Sequence, residues 1–243
     1  KYSGGQLYYY YALETAIGGE PVEEVSGRWQ IVYSHPEKEA LEAETAAVEI
    51  LNIGLRDFTV EKHWLDGHNA YDTRPDDLQV TLYRQVSGGQ PEVVTAQPGS
   101  WQKPAGSDYW RRSWSGLPES DQEGRLYRYW VEETAPASLP GGDRYEPTAP
   151  ADHHLHNLLT GTLDLPVEKL WRDNGGAFGQ RTGQVVIRLY ADGADTGKTL
   201  TLTEAGGWQG TFEDLEKYDG EGVRIQYTVA EETIPAGYEC AVT

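Results

Sequence analysis

One pattern of residues recurs along the chain at constant spacing, and this recurrence constrains the fold more than any other feature. The segment Tyr129–Glu133 (YWVEE) returns as Tyr227–Glu231 (YTVAE), and a Val-Glu-Lys-X-Trp segment precedes each of them, at Val60–Trp64 and at Val167–Trp171. In both copies an arginine follows the lysine by 12 residues, and a tyrosine follows that arginine by 9. Agreement of several anchors in one order indicates a tandem array of one structural repeat.

The two copies differ in length at one place. A shared tyrosine precedes a shared tryptophan by 27 residues from Tyr83 in one copy and by 18 from Tyr190 in the other. The sequence therefore predicts an insertion confined to the loop at residues 84–109. Loops on a rigid scaffold commonly carry recognition, so Trp101 in this loop is a candidate ligand-binding residue. An insertion that is merely tolerated is the alternative.

A third, partial copy begins the chain. A Gly-X4-Tyr-X-Ala-X-Glu pattern ends at Glu14, with the spacing of the patterns that end at Glu133 and Glu231. Residues of a longer protein or another chain would have to complete the partial repeats. We therefore predict the C-terminal half of a repeat at 1–56, a complete repeat at 57–161 and a repeat without its last strand at 162–243.

The composition favours an all-β protein. The chain has 16 Tyr and eight Trp among many Val and Thr, in short runs that Gly, Pro and Asp interrupt. A complete repeat of roughly a hundred residues has the size of a small sandwich domain with its own core. One segment, 36–47, has helical composition, and we expect a short helix or a connection without function there.

Charge and hydropathy exclude several classes of partner. The chain has 20 basic and 39 acidic residues, a net charge of −19, which disfavours nucleic acid and anionic membrane surfaces. No run approaches the ~20 apolar residues that span a bilayer, so we expect no membrane insertion. The single cysteine, Cys240, excludes an internal disulfide framework. No cofactor is expected.

Polar residues at apolar positions of predicted strands mark the candidate site. Lys62 lies two residues from Val60 and two from Trp64, and Glu133 and Asn157 have apolar neighbours at the same spacing. Strand alternation would turn all of them towards the core. The equivalent positions in the incomplete repeats are Lys169, Glu231, Glu14 and Asn52.

Burial gives these residue types a chemical role. It favours the neutral amine of a lysine and the protonated carboxyl of a glutamate. A neutral amine is a nucleophile, and a protonated carboxyl can polarise an amide and transfer protons. Lysine and asparagine on neighbouring strands could thus form one isopeptide bond. The alternatives are a lysine that reaches water at a sheet edge, a simple buried ion pair and an asparagine that merely ends a strand.

Three histidines close to Asn157 raise the question of a metal site. His154 and His156 would share one face of a strand, whereas His153 would not. Two imidazoles without a nearby carboxylate or thiolate make a weak site. The sequence therefore predicts no metal centre.

In order and spacing, these motifs resemble the B-type repeat domains of the collagen adhesin Cna, which occur in surface adhesins and pilins of Gram-positive bacteria. The resemblance covers the whole chain and implies tandem Ig-like β-sandwich domains. It implies that Lys62 is the nucleophile, Asn157 the acceptor and Glu133 the proton shuttle. Glu132 is the adjacent alternative, but strand alternation turns it to solvent.

The resemblance also implies a function. It is an extracellular, load-bearing stalk or pilin-type array on the cell surface, anchored to the cell wall in the parent protein, with a single-turnover crosslink and no enzyme activity. Its partners would be neighbouring domains of the same longer protein and a host surface protein or glycan. Two alternatives remain: a module that binds a host glycoprotein, matrix or carbohydrate, and an accessory β-sandwich of a secreted enzyme.

Overall fold

The computed structural model describes residues 2–3, 6–7, 12–34, 48–134, 138–151, 153–177 and 179–242. The regular secondary structure of these residues is nearly all β. One short helix, α1 (Val22–Val25), and two 3-10 turns at Pro140–Gly142 and Asn174–Gly176 are the helical elements among them. The strands in chain order are β1 (Tyr2–Ser3), β2 (Gln6–Leu7), β3 (Ala16–Ile17), β4 (Glu20–Pro21), β5 (Trp29–Tyr33), β6 (Ile50–Leu65), β7 (Val80–Val86), β8 (Glu92–Val93), β9 (Tyr109–Pro118), β10 (Tyr127–Glu133), β11 (Arg144–Ala151), β12 (His154–Thr160), β13 (Thr162–Glu168), β14 (Gln184–Ala191), β15 (Ala194–Thr203), β16 (Gln209–Glu216) and β17 (Tyr227–Glu231).

The same strand pattern occurs twice. In the complete repeat β7 lies between β10 and β8, and β9 pairs with β6; in the last repeat β14 lies between β17 and β15, and β16 pairs with β13. One tyrosine hydrogen bond is also shared. The hydroxyl of Tyr129 donates to the carbonyl of Pro118 at 2.7 Å, and that of Tyr227 donates to Glu216 at 2.9 Å. The equal pairing agrees with the spacing of the motifs and with β-sandwich architecture.

Strand β6 is the longest, with 16 residues. Its first part pairs antiparallel with β5, from Tyr33 opposite Ile50 to Trp29 opposite Gly54. Further along, the amide of Glu61 donates to the carbonyl of His153 at 2.8 Å, directly before β12. The sheet has the strand order β11-β12-β6-β5, and β9 pairs with β6 outside this path.

Alternation along the strands builds the cores. On β6 the side chains of Phe58, Val60, Lys62 and Trp64 are buried, and those between them are not. Trp64, Trp110 and Trp208, which occupy matching positions in the two copies, are buried, and Trp171 is half-buried against the cluster of the last repeat. The buried cluster of the last repeat consists of Val185, Ile187, Leu189, Leu202, Trp208, Phe212 and Leu215.

The length and the Pro- and Gly-rich composition of residues 140–152 predict a mobile loop. This prediction is wrong, because Arg144–Ala151 forms the edge strand β11. Pro147 and Pro150 obscured the strand in the sequence, yet an edge strand tolerates proline because one side of its backbone has no ladder partner. The segment 36–47 lies outside the described residues.

The chain has two compact units. One comprises residues 1–62, 77–134 and 150–155, and the other residues 63–76, 135–149 and 156–243. The repeat boundaries taken from the sequence stay a prediction. No helix among the described residues is long and apolar enough to cross a membrane.

Candidate functional site

Lys62 is the most unusual buried residue of the chain. It lies three residues before the end of β6, and its side chain is 0% exposed. Its Nζ lies 3.0 Å from Oε2 of Glu133, which is the last residue of β10 and is 8% exposed. Val60 and Trp64 flank the lysine on the same face. The two residues that the sequence assigned to nucleophile and proton shuttle therefore meet in the core.

Burial changes the proton affinity of this lysine. Desolvation lowers the pKa of Lys62 to about 8, although the charge of Glu133 and the hydrogen bond to it act in the opposite direction. At pH 7 a pKa of about 8 leaves about a tenth of the amine neutral. The expected fall in the lysine pKa is thus present, and it increases the share of neutral amine.

The neighbouring Glu132 has the orientation expected from alternation. It is exposed, and its Oε1 accepts a hydrogen bond from Nε1 of Trp130 at 3.3 Å. Val131 is buried on the face that Glu133 shares. Only Glu133 of the two carboxylates is therefore beside the lysine.

Asn157 is 0% exposed and occupies the middle of β12. Leu155 and Leu159 are buried on the same face, whereas His154 is exposed on the other. A buried amide between two leucines is the environment that the sequence pattern predicted. The interpretation of Asn157 as an ordinary strand-end residue is less favoured, because it lies three residues inside each end of β12.

The incomplete repeats bring together the matching pairs. Nζ of Lys169 donates to Oε2 of Glu231 at 2.8 Å in the last repeat. Nδ2 of Asn52 donates to Oε1 of Glu14 at 3.0 Å in the leading half-repeat. One repeat therefore has a lysine–glutamate pair and another has a glutamate–asparagine pair, at hydrogen-bond distance in both.

The last repeat differs from the complete one in solvent access. The side chain of Lys169 is 13% exposed, against 0% for Lys62. A cleft of about 420 Å³ runs between β13 and β17, and Lys169 and Glu231 line it together with the segment 239–242. Cys240 lies in that segment as an exposed free thiol.

Trp101 lies in the core rather than on a binding surface. It is 9% exposed, and its Nε1 donates to the carbonyl of Leu78 at 2.9 Å. The guanidinium of Arg112 covers its ring at 4.7 Å from the ring centre. This placement supports a packing role for Trp101 and leaves the loop at 84–109 without an exposed aromatic anchor at this position.

Sequence reasoning missed a buried carboxylate four residues after the lysine. Arg74 binds Asp66 through two hydrogen bonds of 2.7 Å, and the hydroxyl of Tyr145 donates to the same carboxylate at 2.9 Å. Burial alone would raise the pKa of Asp66, but the hydrogen bonds from Arg74, Asn69 and Tyr145 outweigh it and hold the pKa below its ordinary value.

The last repeat has the same cluster. Nε of Arg181 donates to Asp173 at 2.6 Å, and the hydroxyl of Tyr238 donates to Asp173 at 2.8 Å. The hydrogen bonds from Arg181, the strongest influence, hold the pKa of Asp173 well below its ordinary value. The signal was available, because in both copies an aspartate stands four residues after the lysine and eight before the arginine.

Comparisons with known proteins identify the family of this chain. The family model of the Cna protein B-type domain matches residues 58–149 and 165–243. A collagen adhesin of Staphylococcus aureus is 30% identical over 182 residues, which are 72% of this chain and 14% of that protein. The chain thus spans a small part of the length of this curated relative.

Two solved structures are also similar, and both come from the collagen binding protein Cna of Staphylococcus aureus. The crystal structure of a single B repeat unit is 27% identical, with a TM-score of 0.32, and the match covers 76% of this chain and 89% of that one. The crystal structure of two B repeat units is 24% identical, with a TM-score of 0.37, and the match covers 78% of this chain and 53% of that one. Since the family model matches more than half of the residues, the chain belongs to the Cna protein B-type domain family.

Proposed function

We propose that this chain is part of a load-bearing stalk of an extracellular adhesin or pilin, and that a Lys62–Asn157 isopeptide bond stabilises its complete repeat. The observation that carries the proposal is the fully buried Lys62 with Nζ 3.0 Å from Glu133 and a pKa lowered to about 8. A purely structural ion pair explains the complete burial of Lys62 less well, because the cost of desolvation leaves such a pair with little net stability.

The proposed reaction conserves atoms and charge. The neutral Nζ of Lys62 attacks Cγ of Asn157 while the protonated carboxyl of Glu133 donates a hydrogen bond to the amide oxygen. The carbon–nitrogen bond of the side-chain amide then breaks, and Glu133 transfers a proton from Nζ to the departing nitrogen, so ammonia leaves. The reaction occurs once per chain and gives no turnover.

The position of the bond explains the stalk role. It would join β6, near the start of the complete repeat, to β12 at its end, so a pulling force would act on a covalent bond rather than on the sheet. It would close a loop of 95 residues between Lys62 and Asn157. By the disulfide analogy, loss of that loop entropy destabilises the unfolded state by roughly 4 to 5 kcal/mol.

The cellular setting of the proposal follows from the relative, which is a collagen adhesin. We place the parent protein at the cell surface, anchored to the cell wall, with further domains of the same protein as neighbours of these repeats. A host surface protein or glycan would bind the parent. The buried position of Trp101 gives no support to a binding module on the loop at 84–109.

Intact mass spectrometry of the denatured chain tests the crosslink. We expect the natural chain to be lighter than its calculated mass by one ammonia, and Glu133→Ala to have its full mass. Glu132→Ala is the matched control, since this adjacent carboxylate faces solvent, and it should still lose ammonia. Peptide mapping should join the peptides of Lys62 and Asn157. A natural chain at full mass would refute the crosslink and leave Lys62 and Glu133 as a buried ion pair.

A further inference from the structure

The outer face of β6 and β12 has a group of three histidines. The ring of His63 on β6 stacks on that of His156 on β12, with centres 4.8 Å apart and planes at 25°. His154 lies two residues before His156 on the same strand and therefore points to the same side. The imidazole nitrogens of the three residues lie within 4.8 Å of one another. His63 lies on a strand that is distant in sequence from β12, so the sequence alone did not show that it joins His154 and His156.

The chemistry of this set suits a divalent transition metal. Neutral imidazole is a preferred ligand of zinc, copper and nickel. Three protein ligands with one open position are the usual zinc coordination outside purely structural sites. Two histidines at positions i and i+2 of one strand and a third on the adjacent strand can direct three nitrogens to one point above the sheet.

The distances require a small rearrangement. With bonds of about 2.0 to 2.1 Å to a tetrahedral zinc ion, ligand nitrogens lie about 3.3 Å apart. The nitrogens are now up to 4.8 Å apart. Rotation of half-exposed side chains can close that gap, because His63 and His156 are half-buried and His154 is exposed. The backbone of the sheet already fixes the spacing of the ligands.

A carboxylate and the net charge support the site. Oε2 of Glu61, two residues before His63 on β6, lies 3.8 Å from Nδ1 of His154. A carboxylate beside one ring nitrogen commonly orients a ligating histidine so that its other nitrogen faces the metal. The other oxygen of Glu61 accepts a hydrogen bond from Arg111 at 2.6 Å, which holds the carboxylate in place. The net charge of −19 attracts cations over a longer range.

We propose that His63, His154 and His156 bind one Zn²⁺ or a similar divalent transition metal, with Glu61 as the positioning residue for His154. The ion would join β6 to β12 on the face opposite to Lys62 and Asn157. It would therefore act as a second, reversible link between the two strands that the isopeptide bond is proposed to join. The site does not depend on that bond, since none of its ligands faces the core.

Isothermal titration with Zn²⁺ tests the site, with Co²⁺ as a spectroscopic probe. The full chain should carry Cys240→Ser, so that the exposed thiol cannot contribute. We expect one ion per chain and tetrahedral cobalt absorption in the visible range. His63→Gln, His154→Gln and His156→Gln should each weaken binding at least tenfold, because each removes one ligand.

Controls separate the site from general histidine binding and from the crosslink. His153→Gln is the matched variant, because that ring lies 4.9 Å from the ring of buried Phe58 rather than with the group of three. His68→Gln removes an exposed imidazole from a turn. Both should bind zinc like the parent, and so should Glu133→Ala, in which the proposed crosslink cannot form. The metal site is refuted if the parent binds no stoichiometric zinc, or if His63→Gln binds it unchanged.

Discussion

At the scale of single residues, solvent access distinguishes two lysines with the same partner. Lys62 and Lys169 lie 3.0 Å and 2.8 Å from their glutamates, but the first is 0% exposed and the second 13%. Removal of water disfavours the ammonium form, and the pKa of Lys62 is lowered to about 8 for this reason. Burial, rather than the glutamate contact, therefore lowers the pKa of Lys62.

The lowered pKa predicts how stability depends on pH. In Asn157→Ala the lysine has no acceptor and should stay free to titrate. Between the folded pKa of Lys62, about 8, and its ordinary value of 10.5, the unfolded state binds more protons than the folded state. The free energy of unfolding should therefore rise with pH across this window. Well below pH 8 the lysine is protonated in both states, so its titration should not change the free energy of unfolding with pH. Urea unfolding at pH 7, 8, 9 and 10 measures this. The double variant Asn157→Ala/Lys62→Met should lack the rise, and equal slopes in both would contradict the prediction.

At the scale of elements, an aspartate at the end of the lysine strand connects that strand to a later part of its repeat. Asp66 follows β6 and binds Tyr145 on β11, and the ring of Trp64 packs against Tyr145 at 4.8 Å. In the last repeat, Asp173 binds Tyr238, and Trp171 packs against that tyrosine at 5.0 Å. The same three residue types thus connect the start of each repeat to a residue more than 60 positions away.

Asp66→Asn should be strongly destabilising. It leaves the guanidinium of Arg74, which is 9% exposed, without its counter-charge. Removal of one partner of a buried pair costs about 3 to 5 kcal/mol. Asp173→Asn is the matched variant and should cost less, because Arg181 is 27% exposed. Urea unfolding followed by tryptophan fluorescence compares them, and equal losses would show that burial of the arginine does not determine the cost.

At the scale of the whole molecule, direct contacts join distant segments of one compact unit, which comprises residues 63–76, 135–149 and 156–243. Asp143 accepts hydrogen bonds from Nζ of Lys217 at 2.6 Å and from the hydroxyl of Tyr218 at 2.7 Å. The amide of Gly67 donates to the carbonyl of Glu221 at 3.1 Å. This joint includes a buried carboxylate with a cation and a backbone hydrogen bond, so we expect it to hold these segments of the unit together.

Gly222 tests the joint. Its φ is +72°, and a Cβ there would lie 2.2 Å from the carbonyl oxygen of Leu65. Gly124 occupies the same turn position of the complete repeat, with φ of +78° and no atom within 4 Å of an added Cβ. In both Gly→Ala variants the left-handed backbone conformation should lower the free energy of unfolding by about 1 to 2 kcal/mol. Gly222→Ala should lower it by roughly 1 to 3 kcal/mol more, because backbone atoms must move apart.

Thermal unfolding of the two variants and limited proteolysis near the joint measure this difference. Only Gly222→Ala should become more sensitive to cleavage near the joint. Equal melting temperatures for both variants would show that the joint adds nothing to stability.

The sequence by itself determined the features that follow from local periodicity and from repetition. Alternation along single strands placed Lys62, Glu133 and Asn157 on buried faces, and equal spacing located the matching pairs in the partial repeats. These features depend on residues two apart on a strand or on copies of one pattern, so no knowledge of strand neighbours is needed to find them.

Only the tertiary structure decided which distant residues meet. The pairing of β12 with β6 brought His63 to His156 and Glu61 to His154, whereas the sequence offered only two histidines of this set. The fold also made an edge strand of the proline-containing segment at 144–151 and buried Trp101 in the core. Tyr145 and Asp66 are 79 residues apart in the chain, and their contact depends on which strands become neighbours. Strand order is fixed by packing of the complete core, and no local pattern of residues encodes it.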